Sequence, residues 1–307
     1  MLVQKRGENF MTPYYRLFQI FDKPIIILGM EHGKVRIIDA NESFSRLLGY
    51  TLEELKSKES AGHLLKYNID TTKQTLKSEF GIFTKNNKQI PVRIDQQPIP
   101  KQPGETELIS FVTFEDLTAY KWIEQKCEQN KVIISGIVDA HSHIRFLRDS
   151  VAPLLFEPDR KMEDETVLSF IADNEHVRVM EALAEAGKMK KEKSLTLQTS
   201  RLSGIELELS ITFTPIFDGF GDTKEYAFVI WDLKPVDDTI DSAMKLKIWM
   251  AKRDITAGML SEATGISIQT ISKLRNGKIV KPQRLTAELI ASELRVDIHD
   301  IWTKVGK

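Results

Sequence analysis

The stretch GISIQTISKLRNGK, residues 265–278, decides how the C-terminal end of this chain folds. Ile271 and Leu274 stand one helical turn apart, with Ile266 just ahead of them. Ser267 is a side chain suited to cap a helix start, and Asn276-Gly277 is a stop signal. The pattern predicts a short helix over Ile268–Arg275 with an apolar underside. Gly265 suits a left-handed turn, which glycine adopts at the lowest cost. A preceding helix, Ala257–Ala263, is therefore expected to end there, with Thr256 as its cap. Upstream, Asp241–Arg253 is amphipathic, with Leu246, Trp249 and Met250 turned inward. Downstream, Arg284–Leu294 and Asp297–Trp302 complete a set of five short helices.

The whole chain is nearly neutral, with 43 Lys/Arg against 44 Asp/Glu, but the charge is unevenly placed. Residues 242–307 hold twelve Lys/Arg and six Asp/Glu, a net +6, which leaves −7 on the remainder. A basic tail on an acidic body is the asymmetry of a modular nucleic-acid binder. At 307 residues the chain exceeds one ordinary domain. Its 41% hydrophobic and 28% charged residues are ordinary for a soluble globular protein. Apolar runs such as 24–30 are too short to span a bilayer, and the N-terminus lacks a signal-peptide core. The single Cys127 leaves no internal disulfide and no multi-Cys metal site. A cytoplasmic protein without membrane contact is expected.

The body contains one pattern twice. Residues 24–30 and 34–39 are β-branched runs around a turn-like Glu31-His32-Gly33, which predicts a hairpin. The period then becomes helical: Phe44, Leu47 and Leu48 recur at i, i+3, i+4, and Gly49 ends the run. Thr51 followed by Glu54 is a capping box for the next helix. Residues 81–84 and 89–94 flank a Lys85–Lys88 turn, and a last strand over 107–114 ends at Glu115-Asp116-Leu117-Thr118. This order, with the segments "IIDANESFSRLLGYTLEEL", "NKQIPVRI" and "FVTFEDLT", resembles a PAS domain over residues 15–117. The ending returns at 228–235, "FVIWDLKP", after the strictly alternating Ile205–Phe213. Residues 167–186 read as mid-domain helices. A second, degenerate PAS-like domain is expected over 141–236, with first strands His143–Asp149 and Val151–Phe156. Between the copies, 118–140 reads as a helical linker. Tyr120, Ile123, Cys127, Asn130, Ile134 and Ile137 recur at 3-4 spacing, the pattern of a coiled-coil seam between two copies of the chain. The same spacing also fits an amphipathic helix folded back on its own domain.

The five C-terminal helices, 242–307, resemble the Cro/CI-type helix-turn-helix family, on Leu260, Ala263, Gly265, Ile266, Ser267, Ile271, Leu274, Asn276 and Gly277. Many members pair an Arg in the first helix with a Glu just before Asn-Gly. Here those places hold Met250 and Arg275, so both partners are gone together, and Arg275 is expected to face solvent or phosphate. Ser261 stands where Ala is usual. The resemblance implies that the third helix enters the major groove of double-stranded DNA, with Ile268, Gln269, Ser272 and Lys273 at the base edges. It implies phosphate contacts from Thr256, Ser267, Arg275, Asn276, Lys278 and Lys281.

Other chemistry finds little support. "AHSHIRFLRDSVAP", 140–153, faintly resembles a histidine-kinase phosphoacceptor, but no nucleotide-binding domain accompanies it. A flavin adduct needs a Cys on the mid-domain helix, and Cys127 lies in the linker. Haem needs an axial histidine; His63 and His176 fall in helical regions, where single histidines are more often surface or core residues. No enzyme signature stands out. The fold class expected is α+β multidomain: an N-terminal extension (1–14), two PAS-like antiparallel-sheet domains, a helical linker and an all-α DNA-binding head. The function implied is a homodimeric, signal-responsive transcription regulator, with a small apolar ligand in the first PAS domain as the signal. The competing class is a sensor module whose tail contacts protein.

Overall fold

The computed structural model describes residues 13–31, 34–57, 74–101, 103–104, 107–149, 165–200, 206–236 and 240–306. They fall into two compact units, one of Met1–Lys121 with Ile216–Lys224, the other of Trp122–Pro215 with Glu225–Lys307.

The first unit opens with helix α1, Pro13–Ile20, followed by a five-stranded antiparallel sheet. Its strands are β1 (Ile25–Glu31), β2 (Lys34–Ala40), β3 (Thr75–Phe83), β4 (Gln89–Ile99) and β5 (Leu108–Asp116), in the order β2-β1-β5-β4-β3. Helices α2 (Glu42–Leu48) and α3 (Leu52–Lys56) follow β2. Alternation decides the buried face, since successive strand residues point to opposite sides: Ile90, Val92, Ile94 and Gln96 of β4 are buried together. Ile90, Val92 and Ile94 meet Phe44, Leu47 and Leu48 of α2, and the Phe44 and Phe114 rings lie 4.9 Å apart.

Asn41 fixes where strand becomes helix. Wholly buried, it accepts the backbone N–H groups of Ile25 (2.8 Å) and Phe44 (3.0 Å) on Oδ1. Its Nδ2 donates to the carbonyls of Lys23 (2.8 Å) and Phe21 (3.1 Å). Gly49 ends α2 with φ +78°, and Thr51 with Glu54 forms the reciprocal capping box of α3.

Helix α4, Thr118–Gln129, starts where Asp116 Oδ1 accepts from the Thr118 N–H (2.9 Å) and hydroxyl (2.6 Å). It stops at Gln129, which corrects the linker reading. Ile134 and Ile137 lie in strand β6, Ile134–Asp139, not on a helical seam. Tyr120, Ile123 and Cys127 do share α4, but Ile123 is already buried and Asn130 lies beyond the helix end. The physical reason is composition. Val132, Ile133, Ile134, Ile137 and Val138 are β-branched, favouring strand over helix, and β6 is buried along most of its length. Gly136 adds a steric argument, because a Cβ there would sit 2.5 Å from the Phe228 ring.

The second sheet therefore begins earlier than 141. It comprises β6, β7 (Ile144–Asp149), β8 (Lys193–Gln198), β9 (Leu207–Phe217) and β10 (Thr223–Pro235), in the order β7-β6-β10-β9-β8. The order of pairing is the same as in the first sheet. Two 3-10 turns and helix α5, His176–Met189, precede β8, and Val179, Ala182, Leu183 and Ala186 of α5 cover the sheet's inner face. The expected strand Val151–Phe156 lies outside the described residues.

Five helices end the chain: α6 (Ser242–Arg253), α7 (Ala257–Thr264), α8 (Ile268–Arg275), α9 (Arg284–Leu294) and α10 (Ile298–Ile301). Leu246, Leu260, Ile271, Leu274, Ile290 and Trp302 form their core, each at most 1% exposed. Helix α6 has a second apolar face. Ile248 and Ala251 belong to the core of the second sheet, while Leu246 and Met250 belong to that of the helical head.

Candidate nucleic-acid interface

The α7–turn–α8 segment is built from local rules that the sequence obeys. Thr256 Oγ1 accepts from the Met259 N–H, and Ser267 Oγ accepts from the Thr270 N–H, each at 3.2 Å. Gly265 takes φ +71° at the end of α7, and nothing lies within 4 Å of a Cβ built there. Its requirement is backbone conformation, not space. The same holds for Gly277, φ +69°, after α8. Ser261 has a role that its small size did not reveal: its hydroxyl donates to the Ile266 carbonyl at 2.6 Å, pinning the turn from within.

Ile271 and Leu274 hold α8 down by its buried underside. On the opposite side Ile268, Gln269, Ser272 and Lys273 are all exposed, spaced i, i+1, i+4, i+5. The side-chain oxygens of Thr256 and Ser267 are occupied in capping. Asn276, Lys278 and Lys281 are exposed around the α8 C-terminus, and Asn276 Nδ2 lies 3.4 Å from Ser272 Oγ.

Arg275 differs from its expectation. Met250 is buried in the head core, and Arg275 is only half-exposed; its Nε is buried and has no hydrogen-bond partner. This residue is therefore not simply a solvated cation. Other cations are held in structural contacts. Arg253 Nε donates to the Leu294 carbonyl at 2.8 Å, closing the C-terminus of α9. Lys252 lies 2.6 Å from Asp232 of β10 and over the Trp249 ring. Arg284 pairs with Glu288 at 2.8 Å. The count of +6 thus overstates the charge free to meet a polyanion; around α8 the exposed lysines are Lys273, Lys278 and Lys281.

The other candidates separate clearly. His141 and His143 sit on the β6–β7 turn, where Asp139 Oδ1 accepts both their N–H groups at 2.9 Å, so neither is on a helix. Burial pushes the Asp139 carboxyl up, but these two bonds and the charges of Arg145 and His143 outweigh it and hold it lower than usual. His176 Nε2 lies 2.9 and 3.0 Å from the carbonyls of Leu168 and Ile171, so that nitrogen carries a proton and has no lone pair for a metal. His63 lies outside the described residues. Among the described residues no group of three His, Cys, Asp or Glu is placed to hold a metal ion. No described helix is long and apolar enough to cross a membrane. The interior of the second sheet domain holds a gap of about 40 Å³ walled by apolar side chains, including Val179, Phe213 and Tyr226. That is too small for an organic ligand.

Nothing among the curated proteins matches the chain. Similar solved structures include a light-oxygen-voltage domain, 13% identical, covering 40% of this chain and 98% of that one, TM-score 0.28. The PAS domain of BvgS from Bordetella pertussis is 15% identical, covering 37% and 90%, TM-score 0.28. A PAS domain from Colwellia psychrerythraea is 14% identical, covering 36% and 98%, TM-score 0.27. Two family models do match: a PAS domain over residues 23–119 and a Cro/C1-type HTH DNA-binding domain over 245–305. The chain therefore joins a PAS domain to a Cro/C1-type helix-turn-helix DNA-binding domain.

Proposed function

We propose that this protein is a signal-responsive transcription regulator that binds double-stranded DNA as a homodimer. The observation that carries the reading is α8, with its apolar underside buried and Ile268, Gln269, Ser272 and Lys273 presented outward. In a major groove Gln269 can pair bidentately with adenine, Lys273 can donate to guanine, and Ile268 can meet a thymine methyl. Lys278, Lys281 and Asn276 would grip phosphate, together with the free N–H groups at the α7 and α8 starts beside Thr256 and Ser267. Arg275 can offer phosphate the outer nitrogens of its guanidinium.

The second sheet domain is read as a PAS-like copy, a reading supported by the shared strand order of the two sheets. One head of this size reads few base pairs, so a dimer on half-sites about one helical turn apart is expected. A signal would act by population shift, through its differential affinity for two states of the protein. The long linker seam is not available for pairing, because two of its six residues lie in β6 and Asn130 lies beyond the helix end. Apolar residues at α1 offer an alternative: Tyr14 and Leu17 on the helix and Phe21 just past its end are 57–83% exposed.

Selection of bound fragments from genomic DNA by the full-length protein tests the reading. Recovered fragments should share paired half-sites, and affinity should fall steeply with salt. Gln269→Ala should relax site preference while the circular dichroism spectrum stays unchanged. Absence of duplex binding even at low salt would reject the proposal in favour of a tail that contacts protein.

A further inference from the structure

The outer face of the second sheet carries an open hollow of about 700 Å³, within the range of small-molecule sites, about 300–1,000 Å³. Its walls are rich in hydroxyls. Ser194 and Thr196 of β8 line it beside Ser210 of β9, with Trp231 of β10 and the Asn130-Lys131 segment between α4 and β6. The Trp231 indole N–H donates to Thr212 Oγ1 at 2.8 Å, and Ser194 Oγ meets the same oxygen at 2.7 Å. The indole's polar edge is thereby occupied and its ring fixed, leaving a flat, half-exposed wall.

Among the described lining residues Lys131 is the one charged side chain, and no carboxylate joins it. Partial burial lowers its ammonium's affinity for the proton; Asp254 works against this, and Arg253 adds to it. The site thus contains a cation whose charge is incompletely compensated, a planar apolar wall and a row of hydroxyls that both donate and accept. An anion that is also flat and carries a polar substituent satisfies all three.

We propose that this hollow binds a small planar carboxylic acid, the carboxylate on Lys131, the ring against Trp231 and a ring substituent among the Ser194, Thr196 and Ser210 hydroxyls. The proposal deepens the regulator reading by naming an effector class. Lys131 interacts electrostatically with Arg253 and Asp254, the last residue and C-cap of α6. Helix α6 is at once part of the second domain's core and the first helix of the DNA-binding head. An occupant that compensates Lys131 changes the field at that helix end.

The test contains no DNA, so it can fail independently of the regulator reading. Full-length protein is titrated with 4-hydroxybenzoate to ~10 mM, following saturation-transfer NMR and tryptophan fluorescence. The neutral 4-hydroxybenzamide and the non-planar cyclohexanecarboxylate are run beside it. A ligand of this size in an open site should bind with Kd about a millimolar. Lys131→Met and Lys131→Gln, both at an exposed position, should weaken 4-hydroxybenzoate at least about fivefold and leave the melting curve intact. Trp231→Phe should retain binding, and Trp231→Leu should weaken it. Absence of saturable binding, equal binding of the amide, or unchanged affinity in both Lys131 variants would overturn the proposal.

Discussion

Asn41 shows how much one side chain can hold. Its amide bonds four backbone groups, and its bonds from the Ile25 and Phe44 N–H groups are buried. Asn41→Ala is expected to cost about 3 kcal/mol, since the orphaned donors and acceptors bear a desolvation penalty; urea unfolding of the first domain measures it. Arg275 gives the opposite expectation. A buried N–H without an acceptor is a cost, so Arg275→Met should leave the melting temperature unchanged or raised. If the outer guanidinium does meet phosphate, the same variant should reduce the salt slope of DNA binding by about one counterion. Residues that act on their own neighbourhood in sequence were legible: Thr51 with Glu54, Gly265 and Ser267 follow from short-range geometry. Arg275 was not, because the burial of its Nε is set by tertiary packing that local spacing does not encode.

Helices and strands differ in what they disclose. The amphipathic α8 was readable because its buried Ile271 and Leu274 contrast with polar neighbours. Strand β6 was misread because it is apolar on both faces, and such a segment offers no alternation to mark it as a strand. Its 3-4 spacing then coincided with a heptad. Gly136→Ala separates the two readings by sign. In a helix the change would stabilise by about 1 kcal/mol. In β6 the new Cβ meets Phe228 and the Phe146 carbonyl, and a loss of about 2 kcal/mol is expected, measurable by thermal unfolding. Helix α6 held an unused clue: Ala243, Met244, Leu246, Ile248, Trp249, Met250 and Ala251 surround it with apolar residues, the composition of a helix buried on more than one side.

Across the molecule, the second sheet and the head share α6 and should therefore unfold together. Denaturant unfolding of residues 122–307 is expected to show one transition reporting on both, and Ile248→Ser should divide it into two. The Lys252–Asp232 pair reinforces the joint. Burial pushes the Asp232 carboxyl up, but the Lys252 hydrogen bond and charge, the Leu233 N–H and Lys234 overcome this and leave it below its ordinary value of 3.8. A carboxyl lowered in the folded state stabilises above the unfolded value and loses that contribution as pH falls through the folded one. The joint should thus weaken below about pH 4 in the wild type. Asp232→Asn should remove that pH dependence at a cost of about 1 kcal/mol or less, since both partners are partly solvated.

A chain of separate domains would be exchangeable at a cut between them. Here no such cut exists near residue 241. A foreign head grafted at Asp241 would withdraw Ile248 and Ala251 from the sheet's core and take Lys252 from Asp232. A transplant that keeps both sides intact must carry those three contacts into the new helix, so the heads this sensor can be fitted with are those whose first helix already has two apolar faces.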